Sequence, residues 1–469
     1  MLHLSKTNLM YRPILRALAL TTLPLLAAGQ QLSGFRTDNY AGVNAAFFNP
    51  ASLSSSPYKV DVGIAGMDGN ISNKTAPLGF GNSYNLDDSA DVDKIAGISK
   101  PNSLVGQASL YLPSVSLKIN DRFSIALLSR MRAIPQVINL DGKLIRSING
   151  SVGESGVTIS LDGNSNMQIA TNVFMDIGVA GSYVLYNEDG HYFSAGATLK
   201  YIGGVSNLYM QLNNIKGSVA IDSNGNSYVS QASGSAAIGM GGVDLSADNA
   251  GFGIKASGLG ADLGISYEYR DADMDEESDI PYLFKAGVAL TDIGSIKYKA
   301  QTDYTHAYTI NIPAGSNFPL STFDGVAVKD IPAKMDQYPA YFQKTSGLNN
   351  STYRVAMPHA LQLSGDYRAV RHFYIAFNAQ MALNNKSQPY NPQLPSYYWI
   401  TPRFETRHFA AYMPICVSTL SGFNMGLGFR AGPVYAGSNS LMRMIAGNSR
   451  QLDFYLGFRF GFRYHQSEE

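Results

Sequence analysis

Cysteine, tryptophan and charge are all scarce in this chain of 469 residues. Its single cysteine, Cys416, allows neither an intrachain disulfide nor a cysteine-based metal cluster. Charged residues make up only 15% of the sequence, and 35 basic residues balance 35 acidic ones. Proteins that bind nucleic acid carry a basic stripe, so we expect no nucleic-acid partner.

Long apolar runs are missing as well. A helix needs about 20 apolar residues to cross a bilayer, and we therefore expect no transmembrane helix. An apolar run at residues 17–26 follows basic residues and precedes the small residues Ala27 and Gly29. This order predicts a signal peptide over residues 1–29, so the protein is exported and its mature chain begins near Gln30.

The sequence is rich instead in tyrosine, phenylalanine and glycine, and apolar residues recur at every second position. Between residues 452 and 464 all the even positions are leucine, phenylalanine or tyrosine, whereas Asp453, Arg459 and Arg463 lie among the odd ones. The segments 58–64, 259–270 and 373–383 repeat this pattern. Alternation with period two predicts strands that have one apolar face and one polar face.

Short and long connections alternate between these segments. Tight turns are predicted at 119–121, 187–190, 369–371 and 406–408, with a compact acidic turn at 271–279. Long polar or glycine-rich loops are predicted over 74–105, 134–166, 213–250 and 299–352. Short turns at one end and long loops at the other are typical of outer-membrane barrels. A soluble β protein, whose strands also alternate, is the alternative.

We therefore predict an all-β fold, a transmembrane antiparallel β-barrel of about 14 strands, within a range of about 12 to 16. Tyr282, Phe284 and Tyr298 would belong to an aromatic girdle at the membrane surface. Asp292 interrupts the apolar face between them and requires a bulge or an interfacial position. The dipeptide Gly432-Pro433 marks an additional chain reversal.

The stretch NAAFFNPASLSSS (44–56) lies directly before the first alternating segment. An Asn-Pro-Ala sequence at this position, ahead of about fourteen alternating strands, resembles the FadL-like class of outer-membrane transport barrels. FKAGVALTDIGSIKY (284–298) and GFRAGPVYAGS (428–438) are similar to an uncharacterised family of outer-membrane β-barrels common in Bacteroidota.

The resemblance implies that residues 30–57 form a hatch or plug inside a barrel that spans residues 58–469. The expected plug residues are Asn44, Phe47, Phe48, Asn49, Pro50 and Ala51. Asn49 is suited to cap a short helical turn and Pro50 to occupy its first position. The two phenylalanines would pack against the inner wall or shield an apolar pocket. Such a plug either gates the barrel or only stabilises it.

Charged residues on the polar faces would line the lumen if the apolar faces point to lipid. The predicted lumen-facing charges are Lys59, Asp61, Arg130, Arg132, Lys200, Asp262, Glu268, Arg270, Lys285, Asp366, Arg368, Arg459 and Arg463. Such charges either line a path for a solute, or pair with one another and thereby fix the strand register and hold the plug.

Catalytic and metal-binding patterns are weak. None of the seven histidines has a ligand-spaced neighbour. The acidic turn 271–279 begins like a calcium loop, but Glu276 and Tyr282 stand where that loop needs glycine and glutamate. A local nucleophile motif such as GxSxG is missing. We expect no enzyme, no catalytic residue, no bound metal and no cofactor.

The leading functional hypothesis, which the resemblance implies, is passive transport of hydrophobic or amphipathic small molecules across a bacterial outer membrane. Its alternative is a non-enzymatic binding role, in which the protein is an assembly component of a protein-secretion or cell-surface complex. The expected partners are outer-membrane lipid, a hydrophobic small-molecule ligand and an envelope protein.

Overall fold

The computed structural model describes residues 32–82, 84, 91, 94, 101–140, 142–143, 158–163, 166–222, 226–244, 253–270, 280–345 and 351–463. The predicted signal peptide and the acidic turn 271–279 lie outside the described residues. Within those residues, all 23 strands join one antiparallel sheet.

The strands are β1 (Val60–Asn73), β2 (Asn102–Tyr111), β3 (Ser114–Lys118), β4 (Phe123–Leu140), β5 (Thr158–Asp162), β6 (Met167–Glu188), β7 (His191–Ile221), β8 (Ser227–Gly242), β9 (Ala256–Arg270), β10 (Tyr282–Lys299), β11 (His306–Ile312), β12 (Phe318–Pro319), β13 (Phe342–Thr345), β14 (Thr352–Ala356), β15 (Ala360–Val370), β16 (Phe373–Ala382), β17 (Tyr397–Glu405), β18 (Phe409–Tyr412), β19 (Ile415–Ser418), β20 (Gly422–Met425), β21 (Leu427–Ala431), β22 (Val434–Ser438) and β23 (Gln451–Phe462). Short 3₁₀-helices are Phe35–Thr37, Gly42–Phe47, Pro50–Leu53, Leu320–Phe323 and Val328–Asp330, and the α-helices are Ile331–Met335 and Leu441–Ile445.

These segments combine into a closed barrel of 14 strands, because β1 pairs with β23 and completes the ring. The predicted fold class is therefore confirmed. Several barrel strands are interrupted, and Pro113, Pro358 and Pro414 lie at three of the breaks, between β2 and β3, β14 and β15, and β18 and β19. Proline has no N–H to donate to the ladder, which explains why the pairing stops at these positions. Gly432-Pro433 joins β21 to β22, as predicted.

Large apolar side chains remain exposed around the outside of the barrel. Examples are Ile64 on β1, Leu127 on β4, Val179 on β6, Leu199 on β7 and Leu259 on β9. Soluble monomers rarely expose apolar patches of this extent, whereas a transmembrane barrel presents such a belt to lipid. The alternative of a soluble β protein is therefore disfavoured.

Beyond the belt, the wall continues into an extension at the end that carries the long loops. Strands β8 and β11–β13 contribute none of the exposed large apolar residues among the described positions, and their apolar side chains pack into a cluster that includes Ile238, Tyr308 and Phe342. The predicted loops 134–166, 213–250 and 299–352 are therefore partly wrong, since 134–140, 213–221, 227–242 and 306–312 are strands. These strands pack against protein rather than lipid, so they lack the lipid-facing alternation.

Among the described residues, no helix is long and apolar enough to span a membrane.

The apolar belt predicts that the loss of stability caused by an introduced charge depends on the position of the substitution. Leu263 lies in the middle of the exposed apolar run of β9 and is 54% exposed, whereas Ile445, in a connection at the long-loop end, is 64% exposed. In liposomes, Leu263→Lys is expected to lower the free energy of unfolding by about 2–4 kcal/mol. Ile445→Lys, the matched control, is expected to change it by about 1 kcal/mol or less. Equal effects in a urea titration would contradict a lipid-facing belt.

Candidate functional site

Residues 32–57, called the plug, lie inside the barrel at its short-turn end. The three 3₁₀-helices of the plug contact strands around much of the ring, including β1, β4, β7, β9 and β22. Phe35, Val43 and Ala46 have no exposed surface. On one side the plug packs apolarly, and the Phe35 ring stacks on Tyr435 with centroids 3.8 Å apart.

The Asn-Pro-Ala turn docks on the wall formed by β6, β7, β9 and β10. Asn49 Oδ1 accepts the N–H of Ala51 at 3.0 Å and so caps the helix that begins at Pro50, which confirms the local prediction. Its Nδ2 donates to the carbonyl of Ile265 at 2.9 Å. The backbone approaches the wall closely at Gly196, where an added Cβ would lie 2.5 Å from Ala51 N. A side chain at that position would displace the turn.

Buried charges attach the plug to the wall on other sides. Arg430 Nε donates to Asp38 Oδ2 at 2.7 Å, and the Tyr412 hydroxyl donates to the same carboxylate. Burial opposes the charged form of Asp38, but Arg430 and these hydrogen bonds outweigh it and hold the pKa of Asp38 below its ordinary value. Glu405 accepts hydrogen bonds from the backbone N–H and the Nδ2 of Asn39, at 3.2 and 2.9 Å.

A compact network of opposite charges lies on the wall beside the inner tip of the plug. Its members are Arg130, Arg132, Asp176, Lys200, Asp262 and Asp292. Arg132 contacts both oxygens of Asp292, at 2.6 and 2.9 Å, and Lys200 Nζ lies 2.7 Å from Asp262 and 2.9 Å from Asp292. The guanidinium of Arg130 lies 5.0 Å from the centre of the Phe47 ring. Three cations and three carboxylates therefore neutralise one another below the plug phenylalanine.

Asp292 reaches this network because the strand bulges. The pairing of β10 with β9 shifts register between Leu290 and Ile293, and Asp292 has a φ of 59°. The predicted bulge is confirmed. It rotates a carboxylate from the expected apolar face into the lumen, where its backbone N–H also donates to Asp262 at 2.7 Å.

The loop between β16 and β17, residues 383–396 and here called the inner loop, folds into the lumen from the opposite end. Gln136 Nε2 on β4 donates to the carbonyl of Asn391 at 2.9 Å, and Asn172 on β6 donates to that of Tyr390 at 3.2 Å. The Tyr390 ring packs against Tyr209 and Tyr353, with centroids 5.2 and 4.9 Å away. The lumen is therefore obstructed at both ends, by the plug and by the inner loop.

One side of the plug does not fill the lumen. A cleft with a cavity volume of about 100 Å³ lies between the plug and strands β9, β10, β15 and β16. Hydroxyl and amide side chains line much of it, among them Ser52, Ser266, Ser364 and Asn378. Ser364 stays exposed although it faces inward, because nothing in the plug covers it.

The other predicted lumen-facing residues lie near the short-turn end. Asp61 is fully buried and pairs with Arg459 at 2.5 Å. Glu268 pairs with Arg270 at 2.7 Å and with Lys285 at 3.0 Å, and Asp366 pairs with Arg403 at 2.5 Å. The remaining three are Lys59, partly buried directly before β1, Arg368, which donates to the carbonyl of Ile280, and Arg463, which is partly buried near the rings of Tyr40 and Tyr58.

Several residues of the site were missed at the sequence level. Asp38 and Arg36 lie outside the alternating segments, and the inner loop carries no pattern that distinguishes it from a surface loop. Arg403 and Arg430 were detectable, because each alternates with apolar neighbours as the predicted lumen-facing charges do. No group of three or more His, Cys, Asp or Glu residues in the described part of the chain is placed to hold a metal ion.

Fold and site define a class of protein: a closed transmembrane β-barrel whose lumen is plugged by its own N-terminal segment. More specifically, the chain belongs to the family described as "Family of unknown function (DUF5723)", whose model matches residues 50–439. No curated protein matches the sequence.

Solved structures with a similar course of the chain include a FadL homologue from Pseudomonas aeruginosa, with 11% identity, a TM-score of 0.44 and coverage of 93% of this chain and 98% of that one. The toluene transporter TbuX of Ralstonia pickettii has 10% identity, a TM-score of 0.43 and coverage of 93% and 99%. The P. putida toluene transporter TodX has 13% identity, a TM-score of 0.41 and coverage of 91% and 95%.

Breaking the buried pair at Asp38 should loosen the plug. Asp38→Asn leaves Arg430 buried without a counter-charge and is expected to lower the free energy of unfolding by about 3–5 kcal/mol. It should also increase hydrogen exchange of the plug. The matched control is Asp336→Asn, whose pair with Lys344 is about half exposed, at 40% and 43%, and so contributes about 1 kcal/mol or less. Comparable losses in the two variants would show that the Asp38 pair does not hold the plug.

Proposed function

We propose that the protein is exported to the bacterial outer membrane and there transports hydrophobic or amphipathic small molecules passively. The leader pattern of residues 1–29 and the exposed apolar belt support this location. The short turns would face the periplasm, as they do in other outer-membrane barrels. No chemical step is part of the proposal.

The observation that carries transport is the incomplete fit of the plug. Apolar packing holds the plug on the side of Tyr435, whereas on the side of β15 it leaves an open polar cleft. Water can replace hydrogen bonds along such a cleft at little net cost. The plug can therefore separate from the wall on that side without unfolding.

The interior beyond the charge network supports an amphipathic solute. Tyr209, Tyr298, Tyr353 and Tyr390 lie within one cluster with aliphatic residues such as Ile202 and Ile296. Tyrosine combines an apolar ring with a hydroxyl, so these buried side chains would offer both kinds of contact to a solute that entered between them. A solute that passes them must also displace the inner loop.

A binding role remains the second candidate, and the double obstruction of the lumen favours it. A protein that only docks an envelope partner needs no continuous path, and the extension built from β8 and β11–β13 offers it a surface outside the membrane belt. Export and membrane insertion are common to both candidates, so only movement of a solute separates them.

A reversible lock on the plug tests transport. The hydroxyls of Ser54 in the plug and Ser182 on β6 are 2.5 Å apart, so cysteines at both positions are close enough to form a disulfide. In liposomes, the reduced double variant is expected to take up benzoate as the wild type does, and oxidation is expected to abolish the uptake. Reduction should restore it.

The chain offers a matched control for this lock. Ser218 on β7 and Ser230 on β8 place their hydroxyls 2.6 Å apart in the wall of the extension, and a disulfide there leaves the plug free. Uptake that persists with the plug locked would exclude transport through plug movement. If the wild type takes up benzoate no faster than empty liposomes do, transport is excluded and the binding role is the remaining candidate.

A further inference from the structure

The cleft beside the plug contains a cation without a counter-charge. Arg36 lines the cleft, and its Nη2 donates to Gln362 Oε1 at 2.9 Å. Its Nη1 is buried and has no hydrogen-bond partner. No carboxylate of the described residues lies within salt-bridge distance of this guanidinium, and burial lowers the pKa of Arg36 to about 10.

Other arginines of the lumen show what is missing at Arg36. Arg130, Arg403, Arg430 and Arg459 are each within 3.0 Å of a carboxylate oxygen. A guanidinium whose surroundings exclude much of the water is destabilised when no anion accompanies it, so the position of Arg36 requires a reason. The sequence has enough acidic residues to pair Arg36, and none is placed there.

Arg36 is held in a fixed orientation. Its guanidinium carbon lies 4.3 Å from the centre of the Phe48 ring and 5.1 Å from that of Trp399. Gln362 in turn donates from its Nε2 to Thr291 Oγ1 at 3.3 Å. The side chain is therefore supported by two aromatic rings and by one hydrogen bond, so it presents a fixed positive charge to the cleft.

We propose that this cleft binds a compact oxyanion, the carboxylate or phosphate group of a small solute, with Arg36 as its counter-charge. The hydroxyl of Ser364 and the amide of Asn378 line the same cleft and are suited to complete the hydrogen bonding of such a group. Lys285 Nζ, bonded to Ser55 Oγ at 2.8 Å, adds a second cation to the lining.

Two carboxylates also line the cleft and would repel an anion. Both are paired with cations, Asp38 with Arg430 and Asp366 with Arg403, which also contacts Glu405. Arg36 is thus the charge that the cleft leaves uncompensated. The proposal concerns binding alone and does not depend on transport, because it is measured on the purified barrel without a membrane gradient.

Trp399 provides the readout, since it is the only tryptophan of the chain and lies against Arg36. In detergent at constant ionic strength, titration with inorganic phosphate and, separately, with acetate should change its fluorescence saturably for at least one anion. Arg36→Gln is expected to weaken this binding about tenfold or more. Arg36→Lys, which retains the charge, should bind with intermediate affinity.

Arg354→Gln is the matched control, because it removes the same charge from an exposed position on β14. Ser364→Leu is the second variant: it fills the exposed part of the cleft, leaves Arg36 and its contacts in place, and is expected to abolish binding. If Arg36→Gln fails to fold, the loss of binding in Ser364→Leu tests whether the cleft is the anion site. A wild type that responds to neither anion, or a response unchanged in Ser364→Leu, would overturn the proposal.

Discussion

A single buried carboxylate, that of Asp61, joins the closure of the barrel to the plug. It pairs with Arg459 at 2.5 Å across the seam between β1 and β23, and it accepts the backbone N–H of Val43 at 2.7 Å. Arg459 in turn donates to the carbonyl of Tyr40 in the plug. The plug backbone thus completes the hydrogen bonding of an ion pair at the seam, and buried polar groups that lose such bonds destabilise the structure. Closure of the ring and docking of the plug are therefore coupled.

The width of the ring explains why so much else lies inside it. About eight strands make a barrel that side chains can fill, and fourteen leave a space that they cannot. Here that space is occupied from both ends, by the plug and by the inner loop, with the network around Asp292 between them. The plug and the inner loop each bring backbone groups into the lumen. Polar side chains of the wall form hydrogen bonds with these groups, as Gln136 does with Asn391.

Sequence could predict those parts of the molecule that a local pattern determines. A strand with lipid on one side and polar groups on the other must alternate with period two, and this alternation predicted the strands of the belt. The helical turn was predicted from Asn49 and Pro50, and the bulge in β10 was predicted from Asp292. Strands of the extension, such as 213–221, were missed because exposed polar residues such as Asn214 and Lys216 interrupt the apolar alternation. The pair of Asp38 with Arg430 spans 392 positions, and no local pattern indicates such a contact.

The two sides of the plug differ in how they would respond to a force. Along Phe35 and Tyr435, separation exposes stacked rings to water, and the cost grows with the apolar area uncovered. Along Ser52 and Ser364, the space is already open, and the main direct bond from the plug to β15 is that of Arg36 with Gln362. On this side the plug is thus held through one guanidinium, and the same guanidinium is the charge that the cleft leaves without a counter-charge.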